Sequence, residues 1–350
     1  MRPYYIFDKS KLVHNISVFK KNFKVYYPCK VNSFSEVIKT VDEMECGFEA
    51  DSIFTITKLV REFDINPDKI LYNGLVRSKE DIQEALELGI KFFAVDNMNS
   101  LKQIQSLGYV GLYFLIRISI NSLTDSTLNS LEKWGATLSD AMILADYITS
   151  SNESTLKGFS FYFPKEFKTL KHIQSSIEKI TGLAEKYTNI TIDIGGGIDI
   201  NEIEDIVSIL PEHYDYIIEP GRHLVGNCFD LVCNIIDFKE NNEKILVFLD
   251  VGIYSGLIDV IVKGYSFSVE ALDNDYGEKV LCHLCGCTSD ISDCLGQYWL
   301  PINTIRQKGK LVINNCGAYC PQMHMDFAER PKCKVENNEH LSNLSGEVEL

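Results

Sequence analysis

VYYPCKVNSFSEV, residues 25–37, runs an apolar stretch into Pro28-Cys29, then a lone Lys30, then the start of a helical pattern. Strand followed by helix is one β-then-α unit, and here a charged residue sits where the strand ends. The unit recurs along the chain. Apolar strand candidates fall at 25–27, 47–50, 70–73, 92–95, 111–118, 157–161, 190–194 and 216–218, with helical patterns between them. In SKEDIQEALELG, residues 78–89, Ser78 caps the helix, Asp81 completes the cap and Gly89 stops it. QSSIEKITGLAEKY, residues 174–187, spaces its apolar residues as a helix does, despite Gly182.

Eight such units within about 200 residues predict an α/β fold of the (β/α)8, TIM-like barrel kind. A doubly wound open sheet is the rival, and it usually has fewer strands. After His223 the texture changes: FDLVCNIIDF, KILVFLDVG and KLVINNCGAY are strand-like runs without long helices between them. They predict a C-terminal all-β domain. The expected division is a barrel over 11–223, a β domain over 224–330 joined by the strand-like segment within 1–10, and a polar tail over 331–350.

A chain of 350 residues buries enough surface to fold without a disulfide or metal staple. Its 49 acidic against 34 basic residues, a formal charge of −15, leave no basic stripe for a phosphate backbone. Nucleic acid is therefore excluded as a partner class, and cationic small molecules are favoured. Residues 1–15 lack the apolar core of a signal peptide, and no run of 18 apolar residues occurs, so no membrane segment is expected. With 11 cysteines and no secretion signal, reduced thiols in a cytoplasm are the expectation. CHLCGC, residues 282–287, lacks the second matched pair of a zinc site and reads as buried small residues of the β domain; no metal is expected.

Active sites of such barrels are built at the C-terminal ends of the strands. Lys30 follows the first predicted strand, Glu49 and Ser52 the second, and Arg117 ends the fifth. Gly195-Gly196-Gly197 follows the seventh, and Glu219-Pro220-Gly221-Arg222 the eighth. All fall on one rim. Glycine amides approach a phosphate without a Cβ in the way, and Arg222 adds a planar cationic donor. A lysine at a strand end can simply snorkel to solvent. Beside a phosphate loop it reads instead as a Schiff-base lysine, its amine freed by a pKa that burial lowers. Glu219 is then the carboxylate that keeps a pyridine nitrogen protonated.

These residues resemble the fold-type III pyridoxal-phosphate decarboxylases, which include ornithine, arginine and diaminopimelate decarboxylases. The resemblance runs in family order through YYPCKVNS, GFEADS, ILYNGLVRSKEDIQEAL, FLIRI, EKWGATL, IDIGGGI, IIEPGR, GCTSDISD and NNCGAY. It implies an alanine-racemase-like barrel, pyridoxal 5'-phosphate as cofactor, and decarboxylation of an amino acid to an amine through a Lys30 Schiff base. By the same resemblance Glu219 pairs with the ring nitrogen. Gly195, Gly196, Gly197, Gly221, Arg222 and Tyr319 hold the phosphate, and Glu49 and Arg117 line the pocket. It further implies a homodimer with shared sites, in which GCTSDISD of one subunit enters the other's site.

Three departures stand out. Tyr162 occupies the position of the ring-stacking histidine, and Lys165 that of a phosphate-binding serine. Ser289, before Asp290, stands where the family has a proton-donating cysteine, and a serine is the poorer donor; Cys287, Tyr319, water or Lys30 itself are the candidates to replace it. Val251 appears where ornithine-type enzymes bind a distal amine through aspartate, leaving Asp290 and Asp293 to take a substrate cation. The substrates considered are therefore a diamino acid, a polyamine precursor or a specialised-metabolite precursor. A racemase or epimerase of the same fold, and an impaired paralogue acting as a regulatory binding protein, are the alternatives.

Overall fold

A computed structural model describes residues 2–124, 133–163, 169–240, 244–272 and 277–337. The described residues fall into two compact units, one of His14–Lys30 with Phe34–His223, the other of Met1–Val13, Val31–Ser33 and Leu224–Leu350.

After β1 (Tyr4–Phe7) the chain forms β2 (Lys24–Pro28), β3 (Gly47–Ala50), β4 (Ile70–Tyr72), β5 (Phe92–Val95), β6 (Leu112–Arg117), β7 (Ser154–Ser160), β8 (Thr191–Asp193) and β9 (Asp215–Ile218). Strands β2 to β9 close into a parallel barrel, with β2 pairing β9. All eight expected strands are present, and the fold is the TIM-like barrel. Parallel strands covered on both faces must be apolar throughout, as in the wholly buried FFAV of β5. The helix Lys79–Glu87 begins with the expected capping box, in which Asp81 N donates to Ser78 Oγ (3.0 Å). The helix expected over 174–187 differs: it spans Leu170–Ala184, starting earlier because Thr169 accepts from His172 N and caps it.

Gly158, inside β7, has φ +155°, and a Cβ there would fall 1.8 Å from Thr191 O of β8. Gly158→Ala is expected to destabilise the chain by about 3 kcal/mol, because the barrel wall cannot yield locally. Gly182, in the helix Leu170–Ala184, has nothing within 4 Å of such a Cβ. Gly182→Ala should therefore stabilise, by roughly 0.5–1 kcal/mol. Denaturant midpoints of the two variants check the contrast.

The second unit is mostly sheet. It contains β1, β10 (Phe229–Glu240), β11 (Ile245–Leu249), β12 (Val269–Ala271), β13 (Lys279–Cys285), β14 (Cys294–Pro301), β15 (Lys310–Ile313) and β16 (Lys334–Asn337). The order is β12-β15-β10-β11-β13-β14, with β1 paired to both β10 and β16. The N-terminal strand thus joins this sheet. Lys334–Asn337, within the segment read from sequence as a polar tail, is a strand parallel to β1. The rest of that tail, from 338, lies outside the described residues. Val31–Ser33 also belongs to this unit: Asn32 Nδ2 donates to Gly317 O (2.8 Å) and Tyr319 N to Val31 O (2.8 Å).

Candidate active site

The barrel lining changes character along its strands. Leu71, Leu75, Phe92, Ala94, Leu115 and Ile217 form one buried apolar cluster, with Tyr26 and Trp134 against it. Side chains two apart on a strand share a face. Two positions beyond Leu71, Leu115 and Ile217 stand Asn73, Arg117 and Glu219, at the C-terminal ends. Register adds the rest: Glu49 lies beside Leu71, Ser160 beside Arg117, and Asp193 beside Ser160 and Ile217. An apolar layer is thus capped by a polar one on the catalytic rim of the barrel.

Within that layer Lys30 Nζ lies 2.8 Å from Asp51 Oδ2 and 3.3 Å from Glu49 Oε1. Glu49 is fully buried. Asn73 Nδ2 donates to Glu219 Oε1 (3.1 Å), and a side-chain hydrogen bond joins Glu219 to Asp193. Asp193 Oδ1 in turn accepts from Gly195 N (2.9 Å), and Glu219 N donates to Gly195 O (2.9 Å). The glycine loop is therefore tied to both acids. Gly195 and Gly197 have φ of +69° and +80°; a Cβ on Gly195 would fall 2.5 Å from Phe161 O, and one on Gly196 2.6 Å from Glu219 O.

Charge in this cluster is strongly coupled. Burial pulls the Lys30 amine downward, but Glu49, Asp51 and Glu219 outweigh it, and the ammonium is held above the ordinary lysine range. The sequence-based expectation of a lowered Lys30 is thus reversed, because acids from the ends of two strands, β3 and β9, converge on it. Burial, with Glu219 and Asp51 adding to it, pushes Glu49 well up, against the pull of Lys30. Burial and Asp193 push Glu219 well up. Asp193, buried, rises to about 7. Asp51 goes the other way: burial raises it, but hydrogen bonds from Glu49 and Lys30 and the charges of Lys30 and Arg117 bring it below the usual carboxylate range.

Of the residues singled out from the sequence, the barrel unit holds Lys30, Glu49, Arg117, Tyr162, Gly195, Gly196, Gly197, Glu219, Gly221 and Arg222. Tyr162 is exposed between the buried Phe161 and Phe163, and Arg222 opens the short helix Arg222–Val225. Ser52 caps the helix Ile53–Phe63 by accepting from Thr55 N (3.3 Å). Lys165 lies outside the described residues. Asp51, Asn73 and Asp193 escaped the sequence reading. Their signal was period two, continued one step beyond Glu49, Leu71 and Thr191.

The sheet unit holds Tyr319, Ser289, Asp290 and Asp293. Tyr319 has φ +69°. Asp290 accepts from the Tyr254 hydroxyl and from Ser292 N, which holds its carboxyl below the usual range. Asp293, expected to meet substrate, is buried and already occupied. It accepts from Ile253 N (2.8 Å), Thr288 Oγ1 (2.6 Å) and Thr288 N (3.3 Å). A Cβ on Gly252 or Gly286 would strike its carboxylate, so this acid is part of the framework.

A lysine among carboxylates over a glycine cradle, on the rim of a parallel barrel, defines an enzyme site for a carbonyl-bearing, phosphorylated group. Residues 9–226 match the family model of the pyridoxal-dependent decarboxylases, pyridoxal binding domain. The chain belongs to that family, its cofactor is pyridoxal phosphate, and its reaction is decarboxylation of an amino acid. Diaminopimelate decarboxylase of Helicobacter pylori is 24% identical over 368 residues, covering 94% of this chain and 88% of that protein. Two solved structures share the fold. Lysine/ornithine decarboxylase of Vibrio vulnificus, complexed with putrescine, has TM-score 0.83 and 21% identity, covering 96% of this chain and 94% of that one. Arginine decarboxylase of Paramecium bursaria Chlorella virus has TM-score 0.84 and 19% identity, covering 96% and 97%.

The residues present fit that cofactor. Glu49 Oε2, Asn73 Oδ1 and Ser160 Oγ are buried without a partner among the described residues, a cost that a polar ligand relieves. The donor set matches in kind: an amine for an aldehyde, an acid for a ring nitrogen, glycines for a phosphate.

Proposed function

We propose that the chain decarboxylates an amino acid bearing a second, distal cationic group, with Lys30 as the covalent anchor of pyridoxal phosphate. The observation that carries this is the meeting of Lys30 with Glu49, Asp51 and Glu219 beside the glycine loop. When bound, the cofactor supplies an electron sink for the pair left behind by carbon dioxide. Glu219, oriented by Asn73 and Asp193, holds a proton on the ring nitrogen. The Gly195–Gly197 loop, Gly221 and Arg222 would take the phosphate, Tyr162 would cover the ring face, and Glu49 and Arg117 would line the pocket. Ser289 is the proton donor toward the substrate carbon, and Asp290, an acid held ionised by Tyr254 and Ser292, takes the distal cation. Polyamine biosynthesis in the cytoplasm is the setting this substrate class fits. Among the described residues no helix is long and apolar enough to cross a membrane.

We place Ser289 and Asp290 in the site of a second subunit, so that the active form is a homodimer with shared sites. Ile291, next to Asp290, is 93% exposed, which suits a loop that is covered by a partner. Carbon dioxide release across a panel of diamino acids and their single-amine analogues tests the substrate. A preference for the diamino acids is expected; equal rates with norleucine and lysine would reject the distal-cation reading.

Asp51 sets the pH at which Lys30 becomes reactive. Removing one of the carboxylates that hold the ammonium lowers its pKa, so the neutral amine appears at lower pH. Asp51→Asn is expected to move the pH midpoint of cofactor capture by the cofactor-free protein down by about one unit. Absorbance during loading, followed from pH to pH, reads the shift. An unchanged or raised midpoint would show that Asp51 does not control Lys30.

A further inference from the structure

Outside the barrel site, two thiols meet at the neck of the loop between β13 and β14. Cys285 ends β13 and Cys294 begins β14, and the two are the last partners of the antiparallel ladder. Their sulfurs lie 3.3 Å apart. Directly opposed residues of an antiparallel pair have Cα atoms roughly 4.5–5.5 Å apart, inside the window a disulfide accepts. The gap left to close, from 3.3 Å to a bond of about 2.05 Å, is within the reach of side-chain rotation. The ladder is also irregular between Leu284 and Cys285, so that Cys285 pairs with Cys294 and Leu295 is passed over.

We propose that Cys285 and Cys294 are a site of disulfide formation, oxidised by a hydroperoxide, that clasps the loop carrying Ser289 and Asp290. Among the described cysteines only Cys294 is exposed, whereas Cys285 is buried. Burial, with Cys294 and Asp293 beside it, pushes the Cys285 thiol up to about 12. The order of events follows. Cys294 sulfur attacks the peroxide and the O–O bond breaks, leaving a sulfenic acid and water or an alcohol. Cys285 sulfur then attacks the Cys294 sulfur, the S–S bond forms, and the S–O bond breaks. Hydroxide leaves with the Cys285 proton as water. The two thiols lose two electrons in total, and the peroxide gains them.

The clasp has a prepared frame. Gly286 N donates to Asp293 O (2.7 Å), Asp293 N to Asp290 O (3.1 Å), and Thr288 Oγ1 to the buried Asp293 carboxylate. The loop already closes on itself one residue inside the two cysteines, so the disulfide forms across a neck that is ordered beforehand. The inference stands on the sheet unit alone and is independent of the proposed substrate.

The test treats the reduced full chain with hydrogen peroxide and maps peptides without reduction. The expected result is a Cys285–Cys294 crosslink, forming at least about tenfold faster than any other cysteine pair and reversed by dithiothreitol. Cys294→Ser, at an exposed position that the fold tolerates, should lose it completely. Cys285→Ser should instead leave a Cys294 sulfenic acid that dimedone captures. Accumulation of that sulfenic acid in the parent protein, with Cys285 still a free thiol, would overturn the proposal. So would a crosslink from Cys294 to Cys287 in its place.

Discussion

Lys30→Ala is expected to leave gel filtration without cofactor and to decarboxylate at least ~10³-fold more slowly than the parent chain. The change removes both the proposed covalent anchor and the cation between Glu49 and Asp51. The two losses are separable. Lys30→Arg keeps a charge for Glu49 and Asp51 to pair with, but its guanidinium stays protonated and forms no covalent bond to an aldehyde. It should therefore fold like the parent, with an unchanged denaturant midpoint, and fail in catalysis as fully as the alanine variant. An arginine variant retaining a tenth of parental activity would mean that Lys30 acts through its charge alone. Supply of added cofactor should rescue neither.

Glu219→Gln is expected to lower kcat by roughly 10²–10³-fold while the cofactor stays bound. Glutamine preserves the shape and can still accept from Asn73 Nδ2, which lies 3.1 Å from Oε1 in the parent. What it lacks is the negative charge, and with it the hold on a proton at the ring nitrogen. Burial and the neighbouring Asp193 push the Glu219 carboxyl upward in the cofactor-free chain, so it keeps a proton that it would pass to the ring nitrogen, the negative charge then staying on the carboxylate. KM should change little, because the proposed role of Glu219 is toward the cofactor ring and not toward the substrate. A variant with normal kcat and a raised KM would place Glu219 against the substrate instead. Asp193 adds a pH signature of its own. Its folded pKa of about 7 stands above the ordinary aspartate value of 3.8, so its share of stability is present below that ordinary value and is lost as pH rises toward about 7. Asp193→Asn should flatten that part of the stability profile in the cofactor-free protein.

The barrel was legible because each strand is short, apolar and followed by punctuation, as in Ser78 and Gly89 around the helix Lys79–Glu87. Lys30, Glu49, Glu219 and the glycines stood out as charged or flexible residues at strand ends, where a buried run gives no other reason for them. What a linear reading misses is convergence. Glu49 and Asp51 reach Lys30 from the next strand and Glu219 from the far end of the barrel sequence, and their sum reverses the effect of burial on the amine. Asp293 shows the opposite error. An acid in a polar loop looks available, yet Gly252 and Gly286 leave the space into which its carboxylate is buried. Asn73 sits inside a conspicuous motif, but its function depends on a partner 146 positions away.

The central claim is that pyridoxal phosphate is bonded to Lys30. Borohydride reduction of the loaded protein, followed by peptide mapping, tests it most directly. A pyridoxyl label on the peptide containing Lys30, absent from Lys30→Arg, is the predicted result. A loaded protein that loses its cofactor intact after reduction, or that carries the label on another lysine, would contradict it.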